Sequence, residues 1–308
     1  MLPKKYEIEL TSACNAGCPA CKRTILIDKG EKFAIETLTY DDIVDIFQDV
    51  NMFGAKVKFC GVLGDPIANK DLFDITEFFV VEKGVGEIEV STNAGLKTAD
   101  WWRRYGEISK QSRGVLQVHF AIDGFTRNDY RVNVGLEKAM ENMEAYVAAG
   151  GSAIWQYIIF DYNKHEVDLA RQKAKDLGIG FATRTAWRND STPKEKAEIQ
   201  KKAVERTYEQ PHIDCQHMKS VEIYVGANKT VWPCCYLYDE YVTKGLPQSK
   251  VFSLKEQSLV DILDDPWFNG YIEQTFDKDH PQNMPRCWKS CGDKGIRKNQ
   301  KNVESEAN

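Results

Sequence analysis

Between Tyr6 and Arg184, short β-rich runs alternate six times with longer segments of helical period, and this alternation narrows the possible folds more than any other feature. The strand-like runs are Tyr6 to Thr11, Ala55 to Cys60, Glu87 to Ser91, Leu116 to Ala121, Ala153 to Phe160 and Gly180 to Arg184. Helical periodicity occupies Leu38 to Met52, Lys70 to Val81, Ala99 to Ser109, Leu136 to Ala149 and His165 to Leu177. In Leu136 to Ala149 the apolar positions Leu136, Ala139, Met140, Met143 and Val147 share one face, and Gly150-Gly151 stops the helix. Repeated β/α units require a parallel sheet with right-handed crossovers. Six units fit either a doubly wound sheet or an incomplete barrel, and periodicity does not choose between them.

Beyond Arg188 a polar stretch predicts a loop and a solvated helix, and near Asp214 the pattern changes. Val221 to Val225, a turn over Gly226 to Lys229, and Thr230 to Trp232 read as a β-hairpin, and Ser258 begins a capped helix. The expected organisation is an α/β domain over residues 1–188, a linker over 189–213, a small α+β domain over 214–293 and a polar tail over 294–308. The net charge of -5 argues against an electrostatic grip on nucleic acid. Neither a signal peptide nor a membrane-spanning run is evident, so a cytoplasmic protein is expected.

Nine cysteines fall at 14, 18 and 21, at 60, and at 215, 234, 235, 287 and 291. An odd count in a chain without secretion signals points to metal-binding thiols rather than disulfides. Cys14, Cys18 and Cys21 lie in a Gly- and Pro-containing loop directly after the first strand, at the sheet edge where α/β folds hold ligands. Three thiolates so close can wrap an iron-sulfur cube and leave its fourth iron open, whereas structural zinc wants a fourth protein ligand nearby. Cys60 reads as a buried apolar residue.

The C-x3-C-x2-C spacing of Cys14, Cys18 and Cys21 resembles the signature of the radical S-adenosylmethionine (SAM) superfamily. The resemblance implies a partial (β/α)6 barrel, a 4Fe-4S cluster and SAM. Gly64-Asp65-Pro66 resembles the turn that holds the methionyl ammonium, with Asp65 in place of the usual glutamate. Ser91 and Asn93, ending the third strand, resemble the polar residues that meet the ribose or carboxylate. Asp123, in Ala121-Ile-Asp-Gly124, has Arg131 downstream: Asp123 would hold the loop or the ribose, and Arg131 a carboxylate or the local structure. Ala20 and Ala121 depart from the family's bulky residue and serine. As strand residues of polar type, Gln156 and Arg184 are candidates to face substrate or to satisfy structural hydrogen bonds.

The later cysteines resemble the SPASM extension or its shortened, single-cluster form called twitch. Five thiols suit the shortened form, with Cys215, Cys234, Cys287 and Cys291 as ligands of one auxiliary 4Fe-4S cluster. An exchange of Cys234 for Cys235, and zinc instead of a cluster, stay open. The resemblance implies a flavodoxin- or ferredoxin-type electron donor and a radical enzyme that oxidatively modifies a peptide or protein. A small carbohydrate or cyclitol alcohol is the alternative substrate, and the barrel's start so near residue 1 weakens the peptide reading. A non-catalytic iron-sulfur or zinc protein is the alternative of another class.

Overall fold

The computed structural model describes residues 2–186, 212–246 and 249–292. The expected solvated helix after Arg188 and the polar tail lie outside the described residues, as does most of the linker. Six parallel strands follow one another across the sheet in chain order: β1 (Lys5–Ile8), β2 (Lys56–Phe59), β3 (Glu87–Thr92), β4 (Leu116–Ala121), β5 (Ser152–Ile159) and β6 (Gly180–Thr185). This sequential order decides what periodicity left open. With right-handed crossovers, strands added always on the same side put every connecting helix on one face, as in a barrel, whereas a doubly wound sheet reverses direction partway. Among the described residues the barrel is not closed: β6 forms one edge of the sheet.

The helices between the strands are α1 (Lys22–Asp28), α2 (Tyr40–Phe47), α3 (Leu72–Glu77), α4 (Ala99–Gln111), α5 (Leu136–Ala148) and α6 (Val167–Asp176). Sequence sets their ends: Thr39 and Asp42 form a reciprocal capping box on α2, and the Thr98 hydroxyl accepts from Trp101 N on α4. The helix-facing side of the sheet is apolar. Tyr6, Ile8, Val57, Phe59, Ile88, Val90, Val118, Phe120 and Trp155 are all buried, and they pack under rings such as Phe47, Phe79, Trp102 and Tyr146. Trp102 is fully buried, 5.2 Å from the Phe120 ring and 6.1 Å from Tyr146. Truncating so large a core side chain leaves a cavity, so Trp102→Ala should lower unfolding free energy by about 3–5 kcal/mol in urea titration.

The hairpin β7 (Glu222–Val225) and β8 (Thr230–Trp232) does not stand apart from the barrel. Strand β7 pairs in parallel with β1, Lys5 against Glu222 and Ile8 against Val225, and β8 carries the two-residue β9 (Phe252–Ser253). The sheet therefore runs through nine strands, and the later cysteines arrive beside the first strand rather than on a remote lobe. Around the hairpin lie α7 (Gln216–Ser220), α8 (Cys235–Lys244), α9 (Leu259–Asp264), α10 (Ile272–Gln274) and α11 (Pro285–Cys291). Ser258 caps α9 by accepting from Asp261 N.

Candidate active site and thiol groups

Four loops leaving the C-terminal ends of β1 to β4 interlock over the sheet. The loop after β1 carries Cys14, Cys18 and Cys21, and the loop after β2 reaches it through Asp65 N, which donates to Ala13 O at 2.9 Å. Gly64 makes this approach possible: a Cβ there would lie 1.8 Å from Thr11 O. Gly64→Ala must therefore push two backbone segments apart, and the expected outcome is a lower melting temperature together with weaker retention of any group held by the three thiols. Melting curves and metal content read the two effects separately.

Asp65 is buried and fastens β2 to β3. Its Oδ1 accepts from Ile67 N at 3.1 Å, and its Oδ2 accepts from Asn93 N at 2.8 Å and from Thr92 Oγ1 at 3.1 Å. Burial pushes its carboxyl above the usual range, and these three donors oppose the shift. Asn93 extends the chain, donating from Nδ2 to Asn15 Oδ1 at 3.0 Å and to the Cys14 sulfur at 3.6 Å. Ser91 donates instead to Glu89 Oε1 at 3.2 Å, on the inner face of the sheet. Pro66 opens a single helical turn beneath Asp65. Asp123, fully buried, accepts from Arg131 Nε at 2.7 Å and from Ile158 N at 2.8 Å, so it ties the loop after β4 to β5.

Sequence reasoning missed Glu9, which props the turn over Gly61 to Gly64. Its Oε1 accepts from Leu63 N at 2.7 Å and from Gly64 N at 3.3 Å. The signal was present, as a glutamate between the apolar Ile8 and Leu10 is costly to bury unless hydrogen-bonded.

The inner face of the sheet is polar, and most of it was also missed. Glu7, Lys58, Glu89 and Gln117 stand side by side on β1 to β4. Lys58 Nζ lies 2.8 Å from Glu89 Oε1 and 3.9 Å from Glu7 Oε1, and His119 Nδ1 lies 3.3 Å from Glu89 Oε1. Gln156 meets the same ring nitrogen at 2.9 Å, so this strand glutamine does face inward, while Arg184 is exposed on the edge strand. Burial opposes ionisation of Glu89, yet His119 and Lys58 outweigh it and hold the carboxyl far below the usual range. Burial likewise disfavours the Lys58 ammonium, and Cys60, Glu89 and Glu7 outweigh it. Fixed opposite charges thus line the interior. The signal was period-2 polarity on successive parallel strands, which are apolar on both faces when both are packed.

The thiols form two groups. Cys14, Cys18 and Cys21 lie within mutual electrostatic reach, and burial pushes the Cys14 thiol up to about 11. Burial also raises Cys18, against the Arg131 guanidinium that hydrogen-bonds it. Cys215, Cys234, Cys287 and Cys291 line one pocket with Ile213 and Tyr236. Asp214 N donates to Cys291 O at 2.9 Å, which brings Cys215 to the helix bearing Cys287 and Cys291. Burial pushes Cys234 up to about 12, and neighbouring Cys215 and Cys291 add to it.

Cys235 turns away, hydrogen-bonded to Glu7, to which Cys60 also donates at 3.5 Å. Cys60 is thus half-buried in a polar setting rather than packed as an apolar residue. Asp239 on α8 joins the two thiol groups, 3.5 Å from Lys22 Nζ, next to Cys21, and 2.8 Å from Arg286 Nη2, next to Cys287.

Both groups fit a cationic guest that favours thiolates, since burial raises the Cys14, Cys18, Cys234 and Cys287 thiols. Among the described residues no three His, Cys, Asp or Glu side chains are arranged to hold a single metal ion, and no helix is long and apolar enough to cross a membrane.

Residues 8–173 match the Radical SAM superfamily. No curated protein matches the chain. The fold is similar to that of SuiB from Streptococcus suis bound to S-adenosylmethionine, at 13% identity and a TM-score of 0.61 over 87% of this chain and 67% of that one. SuiB bound to its precursor peptide SuiA gives 12% identity and a TM-score of 0.59, over 87% of this chain and 66% of that one. A third similar structure, native anSMEcpe with bound AdoMet and the Cp18Cys peptide, gives 12% identity and a TM-score of 0.56, over 93% and 88% of the two chains. The chain thus spans about two thirds of SuiB, and these likenesses speak for the fold. Because the superfamily match covers more than half of the 308 residues and begins just ahead of the three-cysteine loop, the protein belongs to the radical SAM superfamily.

Proposed function

We propose that this protein cleaves SAM reductively and uses the resulting radical to oxidise a peptide or protein substrate. The observation that carries the reading is the grouping of Cys14, Cys18 and Cys21 beneath loops locked by Asp65, Asn93 and Asp123. These thiols would hold a 4Fe-4S cluster, and the chemistry it supplies when reduced is the splitting of SAM into methionine and a 5'-deoxyadenosyl radical. Gly64, Asp65, Pro66, Ser91, Asn93 and Asp123 are the proposed SAM-binding residues. Asp65 and Asp123 act there chiefly by holding the backbone of their loops, since their carboxylates already accept protein donors. Pre-organised loops of this kind orient a reactant before chemistry begins.

Cys215, Cys234, Cys287 and Cys291 would hold an auxiliary 4Fe-4S cluster of twitch or SPASM type, able to take up the electron left on the substrate. A pocket lined by four thiols suits such a cube, and metal counting separates it from zinc. SuiB and anSMEcpe have each been solved with a peptide, which favours a peptide substrate here. The polar inner face of Lys58, Glu89 and His119 would orient a polar group of that substrate, and the same polarity supports a second reading, oxidation of a carbohydrate or cyclitol alcohol. A flavodoxin- or ferredoxin-type donor and a cytoplasmic location complete the proposal.

Anaerobic reconstitution tests it. About eight irons per chain, with 5'-deoxyadenosine formed from SAM and dithionite, is the expected result. Zinc at both thiol groups, or no SAM cleavage by the fully loaded protein, sinks the enzyme reading. A two-hydrogen mass loss from a peptide encoded beside this chain, against the same loss from a polyol, decides the substrate.

A further inference from the structure

We propose that Asp239 couples the two thiol groups, so that a cluster held by Cys14, Cys18 and Cys21 slows the loss of the one held by Cys215, Cys234, Cys287 and Cys291. The inference rests on the reading that both groups hold clusters. Helices that start at or carry candidate ligands meet at this one carboxylate: α1 begins directly after Cys21, α8 directly after Cys234, and α11 carries both Cys287 and Cys291. Asp239 stands one turn into α8, and its side chain is only 9% exposed. Its Oδ1 lies 3.5 Å from Nζ of Lys22, the first residue of α1, and its Oδ2 accepts from Arg286 Nη2 on α11 at 2.8 Å.

The two arms of this bridge differ in firmness. The Arg286 guanidinium also lies 5.3 Å over the Tyr236 ring, and its Nε is 3.9 Å from Glu240 Oε2, so α8 grips it through several neighbouring residues. The Lys22 arm is looser, and it is the one that crosses between the thiol groups. Helix α1 buries only Leu26, and Arg23 ties it back to its own loop by donating to Ser12 O at 2.8 Å. Lys22 reaches outward instead, to α8.

A guest that fixes the Cys21 sulfur also fixes the first turn of α1, and Lys22 then loses less freedom when it holds Asp239. The firmer ion pair holds α8 in place, with Cys234 at its start, and through Arg286 it holds the helix of Cys287 and Cys291. Removing one member of such a partly dry network strands charge on the others, so its members act together. Iron leaves a buried pocket only when the pocket opens, and the opening equilibrium therefore sets the rate of loss. Asp239 is a positioning residue, acting through Lys22 and Arg286 rather than on the thiols. The pairing of β7 with β1 is the rival route between the two groups, because β1 leads into the first cysteine loop.

The test is a double-mutant cycle on reconstituted full-length protein, reading the initial rate at which a ferrous chelator strips the auxiliary iron. In protein with both clusters, that iron is followed by the electron paramagnetic resonance signal that SAM does not change. One change is the replacement of Cys14, Cys18 and Cys21 together by alanine, and the other is Asp239→Asn, which keeps the side chain's shape and removes its charge. With Asp239 present, the triple replacement should speed auxiliary iron loss by at least about fivefold, the low end of coupling between two sites. With Asp239→Asn, the same replacement should alter the rate by less than about twofold, since independent sites combine additively. Lys22→Met cuts only the crossing arm and leaves Arg286 paired, so it should uncouple the groups equally, and it decides the matter if Asp239→Asn takes up no auxiliary iron. A rate unchanged by the triple replacement would overturn the inference and make the two sites independent. Equal acceleration with and without the Lys22 and Asp239 side chains would also overturn it, assigning the coupling to the pairing of β7 with β1. Fewer than about eight irons in wild type is a different result, seen before any variant is made, and it removes the two-cluster reading itself.

Discussion

Replacing Cys14, Cys18 and Cys21 together by alanine should abolish 5'-deoxyadenosine formation and reduce bound iron from about eight to about four per chain, while the protein stays folded. The fold should survive because only Cys18 of the three is buried in the core, and alanine keeps that position apolar. Cys14 and Cys21 are half-buried, and the loop is held from outside by Asp65 N to Ala13 O and by Gly17 N to Val132 O. Single replacements in the second group separate the ligands by the same iron count. Cys234→Ala should cost the auxiliary iron, since Cys234 lines the pocket with Cys215, Cys287 and Cys291. Cys235→Ala should leave the iron unchanged, because its thiol is bonded to Glu7. Equal iron loss from both variants would mean that neighbouring thiols exchange at the site. Survival of SAM cleavage in the triple variant would refute the assignment of the first loop.

The barrel wall was legible because local patterns carry it. The expected strand Leu116 to Ala121 is observed with the same ends, and the others differ by one to three residues at an end. Two elements escaped for physical reasons. Helix α1 is seven residues long, rich in Thr and Ile, and buries only Leu26, so neither propensity nor periodicity marks it. The pairing of β7 with β1 joins residues more than two hundred positions apart, and no local pattern encodes such a register. The hairpin expected from Val221 to Trp232 is present, and it joins the main sheet.

The site was legible in its cysteines and turn motifs, whose spacing carries the chemistry. It was not legible in what the carboxylates do. A sequence shows that Asp65 and Asp123 stand in loops near a ligand, but only the packed structure shows their oxygens engaged by Thr92, Asn93, Ile67, Ile158 and Arg131. The polar inner face escaped because each strand was weighed singly. Glu7, Lys58 and Glu89 become one charged row, with His119 beside it, only when the strands are laid side by side.

Asp123→Ala should be strongly damaging, lowering unfolding free energy by about 3–5 kcal/mol, because it leaves a largely buried guanidinium without its fully buried carboxylate partner. Arg131 cannot lose its charge by titration, so the cost cannot be escaped through a pKa shift. The variant also strips Ile158 N of its acceptor at the top of β5, which adds the penalty of an unmade buried hydrogen bond. Denaturant titration of the metal-free chain measures this without any cofactor. Asp123→Asn, which retains a carbonyl acceptor but not the charge, should lose less. In the double variant Asp123→Ala with Arg131→Met both charges are gone, so part of the stability should return, and the cycle gives the coupling directly. A double variant no more stable than Asp123→Ala alone would show that the loss comes from the backbone of the loop after β4 rather than from the stranded charge.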